Sequence, residues 1–89
     1  MARYKVLIKA IVVKEYEAIS SRRARRRILW AISGLSTEPR PAQAKQLPER
    51  EHHLRLYLEH YRVLYGIDDV KKRITVFRIA KHGRQNLAG

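Results

Sequence analysis

The stretch from Leu54 to Ile67, LRLYLEHYRVLYGI, constrains this chain more than any other segment. Leu54, Leu56 and Leu58 alternate with Arg55 and Tyr57, the two-residue period of a strand with one buried face. A second β-rich run, Tyr61 to Tyr65, follows Glu59 and His60. With those two residues as the loop, Leu58 faces Tyr61, Tyr57 faces Arg62, Leu56 faces Val63 and Arg55 faces Leu64. One face of the hairpin then carries Leu54, Leu56, Leu58, Tyr61, Val63 and Tyr65, a core surface. The other carries Arg55, Tyr57, Arg62 and Leu64. Two arginines and a phenol on an uncovered sheet face do little for stability, and they suit a charged ligand.

With 89 residues the chain is expected to form one domain, residues 1–89, with a flexible tail over 81–89. There is no cysteine, so neither a disulfide nor a thiolate zinc site is available. The apolar N-terminus is short and broken by Lys5 and Lys9, which reads as a strand and not as a signal peptide or membrane span. A soluble cytoplasmic protein is expected. The charge is more informative. Twenty Lys and Arg against eight acidic residues give +12, a field that attracts RNA, DNA or an acidic protein. Net charges of about 2–8 already suffice for solubility in a small domain.

Tyr4 to Ile8 reads as a first strand, and Val12 to Ile19 as a short helix with Val12, Tyr16 and Ile19 on one face. Ser20 or Ser21 supplies an N-cap for a stronger helix that ends at Gly34, a natural C-terminal stop. Ala24, Ile28, Ala31 and Ile32 form its apolar stripe. Arg22, Arg23, Arg26 and Arg27 fall largely outside that stripe and are candidates for phosphate contact. Trp30 is expected to pack on the first helix rather than stack on a base. Residues 36–48, with Pro39 and Pro41, read as an irregular connector in which Lys45 is a further basic candidate. A last strand is expected near Arg73 to Ala80, with Ile74, Val76 and Ala80 on one face and Thr75, Phe77 and Ile79 on the other. The fold class is therefore α+β, in the order β-α-α-β-β-β, with a helical pair packed on one face of an antiparallel sheet.

No phosphate-cradling glycine loop, GxSxG elbow or HExxH helix is present in the sequence. His52 and His53 are adjacent, so on a strand they point to opposite faces and chelate one ion poorly. No metal and no cofactor is expected. Cleavage of RNA suits the side chains better. It needs a base for the 2′-hydroxyl, an acid for the departing 5′-oxygen, and cations for the charged phosphorane. Arginines on a firm sheet meet the last need. His82 has the intrinsic pKa for acid or base work, and Tyr57 can donate a proton or stack on a base.

The order of residues resembles the RelE/ParE superfamily of type II toxin–antitoxin toxins over nearly the whole chain. The resemblance rests on the opening Tyr4-x-Val6-x-Ile8 strand, the arginine-rich helix, and the Pro39-Arg40-Pro41 connector leading to Lys45-Gln46-Leu47. Its most specific part is Arg55 to Tyr65, RLYLEHYRVLY, which is similar to the family's R-L-R-V-G-D-Y-R-V-I-Y signature. Val76 to Ala80 and His82-Gly83-Arg84 are similar to its closing segment. This resemblance implies a small cytoplasmic toxin, neutralised in a hetero-oligomer by an acidic antitoxin, that enters the ribosome and cleaves mRNA there. It implies phosphate-binding roles for Arg55, Arg62 and Arg84 and a catalytic role for His82, for which Tyr57 is the substitute candidate. Arg22, Arg23, Arg26, Arg27, Lys45, Arg78 and Lys81 are the further nucleic-acid-binding candidates. Tyr57 stands where the RelE branch often has Lys or Arg, and Leu87 where many members end in a catalytic Tyr. Two alternatives follow: a ParE-type gyrase poison, or an inactive relative that still binds antitoxin.

Overall fold

The computed structural model describes residues 3–81. Its elements are β1 (Lys5–Ile8), α1 (Ala10–Glu17), α2 (Arg22–Gly34), β2 (Ala44–Gln46), β3 (His53–Tyr57), β4 (Tyr61–Asp68) and β5 (Arg73–Lys81). The five strands form one sheet in the order β1-β5-β4-β3-β2. The fold is α+β as expected, but the sheet is mixed where an antiparallel one was anticipated. β1 runs parallel to β5, because the two helices carry the chain over one face before it returns.

The hairpin has the register that alternation dictates, with Arg55 opposite Leu64, Leu56 opposite Val63 and Tyr57 opposite Arg62. Leu58 and Tyr61 exchange backbone hydrogen bonds across the turn. Leu54, Leu56, Val63 and Tyr65 are buried, and Leu58 and Tyr61 pack against them. Val12 from α1 and Ile28, Ile32 and Leu35 from α2 and its cap complete that core, with Ile67, Ile74, Val76 and Ile79 from the sheet. Burying such aliphatic side chains is worth about 1.5–3 kcal/mol each. The Tyr65 ring is fully buried, and its hydroxyl donates to the carbonyl of Pro39 at 2.7 Å. Burial pushes that phenol up to about 12.

Helix α2 starts where its cap predicts, with Ser21 Oγ accepting from the Ala24 N–H at 3.1 Å. Its end differs from expectation. Gly34 is the last helical residue, and the buried Leu35 caps the helix in a right-handed conformation, its N–H bonded to Ile32. A tightened last turn replaces the left-handed glycine stop. Helix α1 begins two residues before Val12 and ends at Glu17, so Ile19 completes its apolar face from beyond the helix.

Two features were hidden in the sequence. Within the connector, Ala44–Gln46 forms β2, which pairs with β3 and places Lys45 opposite Arg55. Three residues are too few to show a period. The second feature is a bulge. Leu64 pairs with Arg78 but Tyr65 pairs with Val76, so β5 carries Phe77 as an extra residue. The phase therefore shifts within β5. Ile74, Val76 and Ile79 are buried, and Ala80 shares the opposite face with Phe77.

Candidate nucleic-acid interface

The helices cover one face of the sheet and leave the other open. On that open face the pairing sets the side chains in rows. Tyr57, Arg62 and Ala80 form the row nearest the hairpin turn. Lys45, Arg55, Leu64 and Arg78 form the next, and His53, Gly66 and Thr75 the one beyond it. Adjacent strands lie about 4.8 Å apart, so Lys45, Arg55 and Arg62 put three positive charges within a short span. Cations held that close repel one another, and a phosphate relieves the repulsion.

Two observations make this more than a charged surface. Arg62 is half-buried, and its Nε is buried without a hydrogen-bond partner among the described residues. An unsatisfied buried donor costs about 1–3 kcal/mol, more for a charged group, and a phosphate oxygen accepting from it would relieve that cost. Arg55 in turn donates to the Tyr57 hydroxyl at 3.1 Å. That bond aligns the phenol and a guanidinium on the same rigid strand, where donors stay fixed while charge develops on a substrate.

The remaining candidates are distributed differently. Arg22, Arg23, Arg26 and Arg27 are exposed on α2, in the helical layer and away from the open face. Arg27 meets Glu59 of the hairpin turn at 3.8 Å, an exposed pair worth little. Arg25, from the same arginine run, donates to the Ile19 carbonyl and pins the helix start. Arg78 Nε is engaged by Glu15 at 2.6 Å, and the other oxygen of that carboxylate accepts from the Ile79 N–H at 2.7 Å. Glu15 thus serves the sheet edge that β1 leaves uncovered beyond Val76. Lys81 ends β5 and is exposed. His82 and Arg84, the proposed acid–base and phosphate residues of the closing segment, lie outside the described residues.

Sequence reasoning weighed His53 only as a metal ligand and gave Phe77 no functional role. The rings stack at 5.3 Å between centroids with 14° between planes, and Lys9 Nζ lies 5.5 Å from the centroid of Phe77. Period-two alternation from Arg55 already placed His53 on the open face. Alternation from Thr75 places Phe77 there too, and the bulge then returns Ile79 to the core. Among the described residues no three His, Cys, Asp or Glu side chains are grouped to hold a metal ion. None of the helices described is long and apolar enough to cross a membrane.

Trp30 does not pack on α1. It is 82% exposed and lines a groove of about 650 Å³ with Ala31, Leu35, Pro41, Leu56 and Leu58. The expected packing fails because Ile28 and Ile32 hold α2 on the sheet with residue 30 turned outward.

No protein-family model and no curated protein sequence matches the chain. Solved structures do. An archaeal RelE in complex with RelB, from Pyrococcus horikoshii, is 28% identical with a TM-score of 0.82, over 92% of this chain and 98% of its own. A chain of the RelBE2 toxin–antitoxin complex of Mycobacterium tuberculosis is 24% identical at a TM-score of 0.76, over 91% and 100%. The isolated RelE toxin of E. coli is 20% identical at 0.79, over 96% and 90%. The mixed sheet, the helical pair on one face and the near-complete mutual coverage agree with the sequence signature: the chain has the RelE toxin fold and is RelE-like.

Proposed function

We propose that this chain is the toxin of a type II toxin–antitoxin pair, that it cleaves mRNA on the ribosome, and that an acidic antitoxin holds it in check. The observation that carries the reading is the convergence of Arg55, Tyr57 and Arg62 on the open face, with Arg62 Nε buried and without a partner among the described residues. The P. horikoshii, M. tuberculosis and E. coli neighbours seen with RelB partners support the antitoxin. A net charge of +12 supports both an acidic partner and an RNA substrate.

In the proposed reaction a 2′-oxygen attacks the adjacent phosphorus and the bond to the 5′-oxygen breaks. The products are a 2′,3′-cyclic phosphate and a 5′-hydroxyl. A base removes the proton of the 2′-hydroxyl, and an acid delivers one to the departing oxygen. Arg55 holds the scissile phosphate, and Arg62, with Arg84, stabilises the phosphorane by charge-assisted hydrogen bonds. His82 and Tyr57 are the acid–base candidates, and His82 has the better intrinsic pKa. Lys45 extends the phosphate track. The α2 arginines, Arg78 and Lys81 contact ribosomal RNA.

Controlled expression in bacteria with primer extension on a translated reporter tests this. Cuts confined to translated regions are expected, and Arg62→Ala should reduce them by about 10²–10³-fold, as removal of a transition-state donor does. Full cleavage by both Arg62→Ala and Arg84→Ala overturns the assigned roles. Growth arrest with DNA damage and uncut message points to gyrase, and no arrest points to an inactive relative.

A further inference from the structure

Beside the arginine rows lies a cavity of about 210 Å³, bordered by Arg50, His53, Leu64 and Phe77, with Leu47, Leu54 and Tyr65 completing its lining. Drug-sized ligands occupy about 300–1,000 Å³, so this space is on the scale of one planar ring system. Two of its residues are the stacked His53–Phe77 pair, and one is a cation. His53 Nδ1 lies 3.1 Å from the Glu51 carbonyl, which anchors the imidazole. Gly66 lies beneath the pair. A Cβ there would come within 3.0 Å of Phe77 Cε2 and 3.4 Å of His53 Nε2, so a methyl would push the rings by a few tenths of an ångström.

From this geometry we infer that the cavity is a nucleobase subsite: one base of the bound RNA inserts against the His53–Phe77 pair while its phosphate lies on the Arg55 row. The inference rests on the nucleic-acid reading above and adds to it the element that distinguishes positions along the strand. Aromatic rings and a guanidinium are the surfaces on which unstacked bases settle. Leu64 closes the cavity with apolar surface. His53 and Arg55 lie two residues apart on one strand, about 6.6 Å, which is on the order of the step from one nucleotide to the next. Phosphate contacts fix register, and a base pocket at a fixed offset from them supplies preference. Strand pairing sets His53 and Phe77 on either side of Gly66, and because neither ring belongs to the buried core, core packing does not account for their stacking.

The test uses the full chain and a set of short single-stranded RNAs, each lacking the base at one position. The unaltered chain should lose about 5- to 100-fold in affinity for one RNA of the set and little for the others. Phe77→Ala should lower affinity for the intact RNA by a similar factor and abolish the penalty for the missing base. Phe77→Tyr should restore both. Gly66→Ala, which wedges a methyl under the rings, should weaken discrimination between positions more than total binding. Equal penalties at every position, or a Phe77→Ala loss that simply adds to the missing-base loss, overturns the subsite and leaves the phosphate track standing. Failure of the unaltered chain to bind any RNA of the set overturns the subsite, whereas the nuclease reading stands or falls with the primer-extension result.

Discussion

β3 and β4 carry two surfaces that share a backbone but obey different rules. On the helix side, Leu54, Leu56, Val63 and Tyr65 are between 0% and 5% exposed, and the Tyr65 hydroxyl has its partner. On the other side, one residue away in each case, stand His53, Arg55, Arg62 and Leu64. There a buried guanidinium nitrogen is left without a partner among the described residues, and like charges crowd adjacent strands. Stability is concentrated on one face, which leaves the other able to carry charge that works against the folded state. A rigid sheet is a good place for this, because a two-residue period separates the two demands by a single residue step along the chain.

Neighbouring residues break the comparison most sharply. Leu56→Ala should remove about 2–5 kcal/mol of folding stability, as large-to-small core changes do, from a total of about 5–15 kcal/mol for a small domain. Thermal melting reads this as a fall on the order of 10 °C or more. Arg55→Ala, one residue earlier, should leave the melting temperature nearly unchanged, because an exposed-face substitution stays within about 0.5 kcal/mol. Similar melting losses in the two variants would show that the open face is structural.

A smaller effect sharpens the same division by salt dependence. For single-stranded nucleic acid, each phosphate contact contributes about 0.7 to the slope of log affinity against log salt. Arg55→Ala should lower that slope by about 0.7. Lys14→Ala, at the last turn of α1 in the helical layer, should leave it unchanged. Equal slopes for all three proteins would mean that the chain binds as a diffuse cation.

Much of this division was legible before the structure. The alternation of Leu54 to Leu58 and Tyr61 to Tyr65 gave the hairpin, its register and the identity of both faces, because a two-residue period admits only two assignments. Ser21 and the spacing of Ile28 and Ile32 gave α2. What escaped was non-local. β2 is a strand only because β3 offers it an edge, the parallel pairing of β1 depends on where two helices return the chain, and the bulge at Phe77 exists only relative to β4. That bulge is why Ile79 is buried although strict alternation places it with Phe77, and the His53–Phe77 pair escaped because it joins residues of two strands that are not neighbours in the sheet. Trp30 was misjudged because it lies outside the stripe of Ile28 and Ile32 that meets the sheet, and packing was expected of it all the same.

The smallest expected effect concerns a polar cluster that serves structure alone, in contrast to Arg62. Asp69 accepts from Arg40 Nη2 at 2.9 Å and from the Tyr4 hydroxyl at 2.7 Å, tying the connector and the segment leading into β1 to the turn between β4 and β5. The hydrogen bonds from Arg40, and next from Tyr4, lower the Asp69 pKa from 3.8 to about 2. A carboxylate with a depressed folded pKa stabilises the protein above its unfolded value. That contribution fades as pH falls from about 4 towards 2. The cluster is exposed, so the effect should be modest and should shrink in high salt. Thermal melts of the unaltered chain and of Asp69→Asn should therefore differ at neutral pH and converge as pH falls to about 2. RNA binding at neutral pH should be the same in both proteins. A gap between the melts that does not depend on pH would mean that Asp69 acts through shape and not through charge. Weakened RNA binding in Asp69→Asn would mean that the open face depends on the connector being tied down, and the two faces would then be less independent than their geometry implies.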